Sequence, residues 1–137
     1  IIFHAFIIFF CYKNLKKGKS VISQDLFDFM FIDFENNLRE MGFGDIAVNK
    51  KMKVFITAFY GRLAQYSKGF DDYKNDGDIS LLQQTILNNI YKGEETLNEH
   101  INYFIEYMKV NIQQFIGNDE SKNLEENFYF KVIKYGI

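Results

Sequence analysis

A chain of 137 residues suits one domain with a single core, and 47% apolar with 25% charged residues is the composition of a globular protein, not a disordered one. A net charge of −2 gives no electrostatic reason to expect nucleic acid, and the lone Cys11 excludes an internal disulfide and a disulfide-framed secreted scaffold. Aromatic residues reach 18%, with 16 Phe, 9 Tyr and no Trp, and the absence of proline leaves long helices uninterrupted.

The chain opens on "IIFHAFIIFFCY", followed by "KNLKKGK". Twelve residues make about 18 Å of helix, well short of the roughly 30 Å of a bilayer core. The run reads as a buried helix whose lysines face the favourable end of its dipole, ahead of a truncated span or signal remnant. Its first residue is Ile and not Met, so an upstream segment is expected to have been trimmed.

Ile22, Leu26, Met30, Phe34, Leu38 and Met41 recur at spacings of four and three and predict a helix over 22–41. Phe27, Phe29, Phe31 and Ile32 lie off that stripe, so neighbours on more than one side are expected. Gly42 stands where a left-handed cap belongs. The next helix is predicted from Val48 to Lys68, with Asn49 as N-cap and the stripe Val48, Met52, Phe55, Phe59, Leu63, Tyr66. Gly61 in its interior suggests a close approach of another chain segment. "KGFDDYKNDGD" reads as a polar loop with turn chemistry in "NDGD".

Asp78 or Ser80 opens a helix bearing Ile79, Leu82, Ile86 and Ile90, closed by Gly93. Thr96 and Glu99 have the spacing of a capping box for the helix of Leu97, Ile101, Phe104, Met108, Ile112 and Phe115, which Gly117 ends. The tail "NFYFKVIKYGI" is either a short helix or extended. No repeat or linker interrupts the chain, which predicts an all-α single compact domain of five or six helices over 1–137.

Catalytic constellations are missing from the pattern. His4 and His100 have no metal-ligand spacing, and Cys11 sits in an apolar run suited to a structural thiol. "GFGD" follows a helix and lacks the third glycine of a dinucleotide fingerprint. Asp71 with Asp72, and Glu125 with Glu126, lie in polar stretches and read as solvated charge. The expectation is a protein without an active site, metal or cofactor.

What remains is the corner "REMGFGDIAVNKKMK". Lys50, Lys51 and Lys53 fall in the first turn after Asn49, where each cation costs a few tenths of a kcal/mol against the helix dipole. Either they meet an acidic partner or anionic headgroups, or they are a solvated, lysine-rich surface. Arginine appears only twice among 16 basic residues, as Arg39 and Arg62. Those two sites either need a planar bidentate donor or reflect chance. Asp45 either accepts loop N–H groups or pairs with Arg62, making the two arginines a clamp between helices. "FYGR" then places Phe59 in the core, Tyr60 at its edge, Gly61 for close approach and Arg62 as clamp.

"LFDFMFIDFENNLREMGFGDIAVNKKMK" followed by "FYGRLAQY", from Leu26 to Tyr66, resembles the ubiquinol–cytochrome c chaperone family, and "LLQQTILNNIY" resembles the family's following helix. The likeness ends near residue 92. Its matching positions are Arg39, Glu40, Gly42, Gly44, Asp45, Lys50, Lys51, Tyr60, Gly61 and Arg62. The resemblance implies an all-helical, non-catalytic assembly factor of the cytochrome bc complex that binds newly made cytochrome b or another apolar client. It also implies a small partner protein, and a ribosome or anionic membrane surface, as neighbours, with no specific DNA binding. The expected place is the cytoplasmic side of a bacterial inner membrane or the matrix side of a mitochondrial one. The alternative is a helical carrier that encloses a quinone, haem or lipid. A large closed apolar cavity would favour the carrier, and an exposed apolar groove beside the lysines would favour the chaperone.

Overall fold

In the computed structural model, which describes residues 2–14, 20–116 and 129–134, five helices follow one another. They are α1 (Ile2–Asn14), α2 (Ser20–Glu40), α3 (Asp45–Asp76), α4 (Ser80–Ile90) and α5 (Asn98–Ile116), so the all-α expectation holds. Helix α3 is the spine: its 32 residues span about 48 Å. Helix α2 packs on its N-terminal half, α4 and α5 gather at its C-terminal half, and α1 touches α2, α3 and α5.

Two apolar clusters result. Ala5, Phe27, Phe31, Val48, Met52 and Phe59 form one, and α1, the second half of α3, α4 and α5 form the other around Phe6, Tyr66, Leu82, Ile86 and Met108. Phe27, Phe31 and Phe34 of α2 mesh with Phe55 and Phe59 of α3, the Phe34 and Phe55 rings lying 4.8 Å apart and the Phe31 and Phe59 rings 5.3 Å. Offset and edge-on ring pairs of this kind add about 0.5–1.5 kcal/mol each beyond their burial. The apolar N-terminal run is a core helix: Phe3, Phe6, Ile7, Phe10 and Cys11 are all buried.

Several sequence expectations are corrected. The buried face of α2 is Phe27 and Phe31 flanked by Met30, Phe34 and Leu38, whereas Leu26 and Met41 are exposed. Pairing with the α3 phenylalanines turns the helix toward its aromatic side. Helix α3 begins at Asp45, so Asn49 lies inside it and the lysines fall in later turns. The predicted loop from Lys68 is helical as far as Asp76. Gly69, Phe70 and Tyr73 continue the packed stripe of Tyr66, and Lys68 pairs with Asp72 at 2.9 Å. Only Gly77, at φ +73°, ends the helix.

Close approach occurs at Gly69 and not at Gly61. A Cβ on Gly69 would meet Leu82 of α4 at 3.1 Å, while one on Gly61 would meet nothing within 4 Å. Thr96 makes no capping box, since its hydroxyl faces His100 Nδ1 at 3.3 Å. The helix after Gly77 opens as expected, with the Asp78 carboxylate accepting the Ser80 N–H at 2.9 Å. The Ser80 hydroxyl, followed by that N–H, holds the Asp78 carboxyl below its ordinary pKa.

The tail at 129–134 has no regular secondary structure and lies along α5. Asn111, fully buried, receives the Lys131 N–H at 2.7 Å and donates to the Lys131 carbonyl at 3.2 Å. Gln114 donates to the Tyr129 carbonyl and Tyr103 to that of Ile133. Lys16, Lys17, Lys19, Gly117, Glu125 and Glu126, which the sequence analysis singled out, lie outside the described residues.

Candidate functional site

The corner between α2 and α3 is built by backbone chemistry. Gly42, at φ +93°, lets its N–H reach the Arg39 carbonyl at 2.9 Å while the Phe43 N–H reaches that of Leu38 at 3.2 Å. This double closure satisfies two carbonyls at the end of α2 and sets Phe43 against Leu38 in the α2–α3 cluster. One residue later Gly44, in an extended conformation, begins α3, its carbonyl accepting the Val48 N–H at 2.9 Å.

Arg39 then clamps the corner from outside. Its guanidinium pairs with Glu35 at 2.8 Å and also with Asp45 across the turn. The hydrogen bond to Glu35, followed by that to Asp45, holds its pKa above the ordinary value. Asp45 thus serves Arg39, which corrects the expected Asp45–Arg62 pair. Asp45 also occupies the first turn of α3, where a carboxylate suits the dipole. The supposed conflict of three lysines with that dipole disappears, because the field fades within the first turn and Lys50 stands in the second. Glu40 is an exposed residue at the end of α2.

Along α3, Ala47, Lys51, Val54, Ala58 and Arg62 follow at spacings of four, three, four and four, which puts them on one face. With Lys50 and Phe55 they line an open groove of about 580 Å³. Val54 is 66% exposed, Ala47, Phe55 and Ala58 complete the apolar part of the wall, and Lys50, Lys51 and Arg62 bring three cations to it. Lys51 lies over the Phe43 ring at 4.6 Å from its centroid, a cation–π contact that ties the groove to the corner. Lys53 does not line this groove; its backbone carbonyl accepts the Thr57 hydroxyl at 2.9 Å. Tyr60 is half exposed and stacks on Phe27 at 4.9 Å, joining α3 to α2. Gly61 faces solvent beside it.

A family model described as Ubiquinol-cytochrome C chaperone matches residues 1–135. The chain belongs to the ubiquinol–cytochrome C chaperone family. The match takes in α1, α5 and the tail, well past residue 92 where the quoted motifs stop. No curated protein and no solved structure matches the chain. Family membership therefore rests on the whole domain, with the α2–α3 corner as its most legible part.

Arg62 is the residue that sequence reasoning placed least well. It is half-buried at the end of the groove and also lines a second cavity with Tyr66 and Asn89. Gly69 and Asn111 were missed altogether. Gly69 stood within an apparent loop, and Asn111 interrupts an apolar stripe by one polar residue whose purpose only the docked tail reveals. Among the described residues no helix is long and apolar enough to cross a membrane.

Proposed function

We propose that this chain is a non-catalytic assembly chaperone of the ubiquinol–cytochrome c reductase complex that shelters newly made cytochrome b at the membrane surface. The family match supports the chaperone role, and the groove on α3 supports the mode of binding. An apolar client helix would lie against Val54, Phe55 and Ala58, while Lys50 and Lys51 hold the chaperone near an anionic surface of headgroups or ribosome. The observation that carries the reading is an open apolar groove edged by lysines, the feature that separates a client-binding chaperone from an enclosing carrier.

The test is a photo-crosslinking amino acid at Val54, with one at exposed Asn75 on the far half of α3 as control, in cells making the bc complex. Cytochrome b captured from Val54 and not from Asn75 is expected. Glu in place of both Lys50 and Lys51 should lower the membrane-attached fraction, and Lys53→Glu should not. Equal capture from both positions, or attachment unchanged by the double charge reversal, rejects the groove as the client site.

A further inference from the structure

In a chain that uses lysine nearly everywhere, each guanidinium calls for an account. Arg39 has one, in the two carboxylates it holds. Arg62 is half-buried, yet among the described residues no carboxylate pairs with it. A second unmet donor lies in the same place. The side-chain Nδ2 of Asn89 is buried and has no hydrogen-bond partner. Such a group costs about 1–3 kcal/mol, so its persistence points to an acceptor supplied from outside.

Arg62 and Asn89 line one cavity of about 300 Å³, walled by Phe3, Phe34, Phe55 and Tyr66 where α1, α2, α3 and α4 meet. Burial raises the Tyr66 pKa most, while the Asn89 amide, which lies near the phenol oxygen without the geometry of a full hydrogen bond, and the Arg62 charge draw it back down, so both groups bear on the phenol. Tyr66 is only 1% exposed and stays a neutral donor. The cavity thus presents a cation, an amide N–H and a phenol O–H, with aromatic walls.

Water could satisfy the amide but would leave the guanidinium without a counter-charge in a half-buried setting. The complementary ligand has a planar anionic acceptor on an apolar body. A single guanidinium with its fork of donors matches a carboxylate, whereas a phosphate dianion would need a second cation at the cavity. The volume stands at the small end of ligand pockets, which limits the body to a medium length. Phe55 and Arg62 are shared with the larger groove, so the body has an apolar exit along α3.

We propose that this cavity binds a medium-chain monocarboxylate of the fatty-acid class, with Arg62 gripping the carboxylate, Asn89 Nδ2 donating to one of its oxygens, and the chain lying among the phenylalanines. The site shares Phe55 and Arg62 with the groove, but its test does not depend on the client role proposed for the groove.

Isothermal titration calorimetry of the full chain with decanoate, below its micellar concentration, and with decanol tests the assignment. Decanoate should bind at least about tenfold more tightly than decanol, the difference expected of a charge-assisted contact. Arg62→Leu should abolish that preference, and Arg62→Lys should leave a reduced preference of about threefold through loss of the fork. Both variants should keep the wild-type circular dichroism and thermal midpoint, since Arg62 has no ion pair to lose among the described residues. Equal affinity for decanol, or decanoate binding untouched in Arg62→Leu, overturns the proposal. So does binding of an apolar helical peptide carrying one glutamate where decanoate fails, which would assign the site to a partner's side chain instead.

Discussion

Two glycines eight residues apart on α3 should respond to the same substitution with opposite signs. Both are interior to the helix, where alanine is favoured over glycine by roughly 0.5–1 kcal/mol. At Gly61 the new methyl group meets nothing within 4 Å, so Gly61→Ala should deliver that gain almost in full. For a domain of this size, 1 kcal/mol is about 3–5 °C in thermal midpoint. At Gly69 the methyl group would stand 3.1 Å from Leu82 Cδ2, Cγ and backbone N. The side-chain atoms belong to a fully buried leucine and the nitrogen to the first turn of α4, so neither can yield without shifting α4 on the spine. Overpacking of this kind costs about 1–3 kcal/mol, which exceeds the propensity gain and leaves Gly69→Ala less stable by about 1 kcal/mol. Urea unfolding followed by far-UV circular dichroism reads both. In a Leu82→Ala background most of the Gly69→Ala penalty should vanish, because two of the three contacting atoms are gone. A Gly69→Ala protein stabilised as much as Gly61→Ala would refute the α3–α4 packing described above.

Removing the Asn111 clasp with Asn111→Leu should cost about 2 kcal/mol, since the Lys131 N–H and carbonyl lose their partners. Trypsin should then cut after Lys131 faster than in the parent, which mass spectrometry of a timed digest would show. Burial pushes the Cys11 thiol up to about 12 from 9.0, so the folded protein should resist alkylation that the urea-unfolded chain undergoes readily. A raised folded pKa means its contribution to stability is complete below pH 9 and is lost above it, by about 1.4 kcal/mol for each pH unit until the folded thiol itself ionises. The slope of stability against pH above 9 should therefore be shallower in Cys11→Ala than in the parent. Gly42→Ala forces a side chain into a conformation at φ +93° and should cost about 1 kcal/mol in the same urea assay.

The all-α class and the family were legible because the helices carry strong apolar periods and the corner carries backbone-specific residues. "GFG" encodes a left-handed closure and an extended start, and those demands restrict residue choice more sharply than any amphipathic face does. The limits of α3 were misread at both ends for physical reasons. Gly44 caps it without a side-chain bond, so Asn49 looked like the better cap. At the other end "KGFDDYKND" is polar by count, yet its Phe70 and Tyr73 keep the helical spacing that packs on α4 and α5. Arg62 could not be placed from sequence, because pairing of Asp45 with Arg39 is decided by how the turn brings the two together. The aromatic abundance was equally ambiguous. Most of it is spent meshing α2 with α3 and seating α1, which no one-dimensional pattern separates from a ligand pocket.

On the proposed function, the groove would also set how tightly a client is held. Full burial of an aliphatic or aromatic side chain is worth about 1.5–3 kcal/mol, and Val54 is 66% exposed while Phe55 is already partly covered. Closing the groove over a client helix therefore gains a few kcal/mol from the chaperone's side, set against an association cost of about 4–15 kcal/mol. The client's own apolar surface must supply much of the rest, and attraction by Lys50 and Lys51 must raise the encounter rate. Binding of this kind would be weak and reversible, which suits the proposed role of handing a client on. It should also be salt-sensitive. The attachment measured on anionic vesicles should fall as ionic strength rises through the range where the Debye length shrinks from about 30 Å to 8 Å. In the protein with Glu at both Lys50 and Lys51 the attachment should be low at every salt concentration. Attachment indifferent to salt in the parent chain would mean that the lysines beside the groove are only solvated charge.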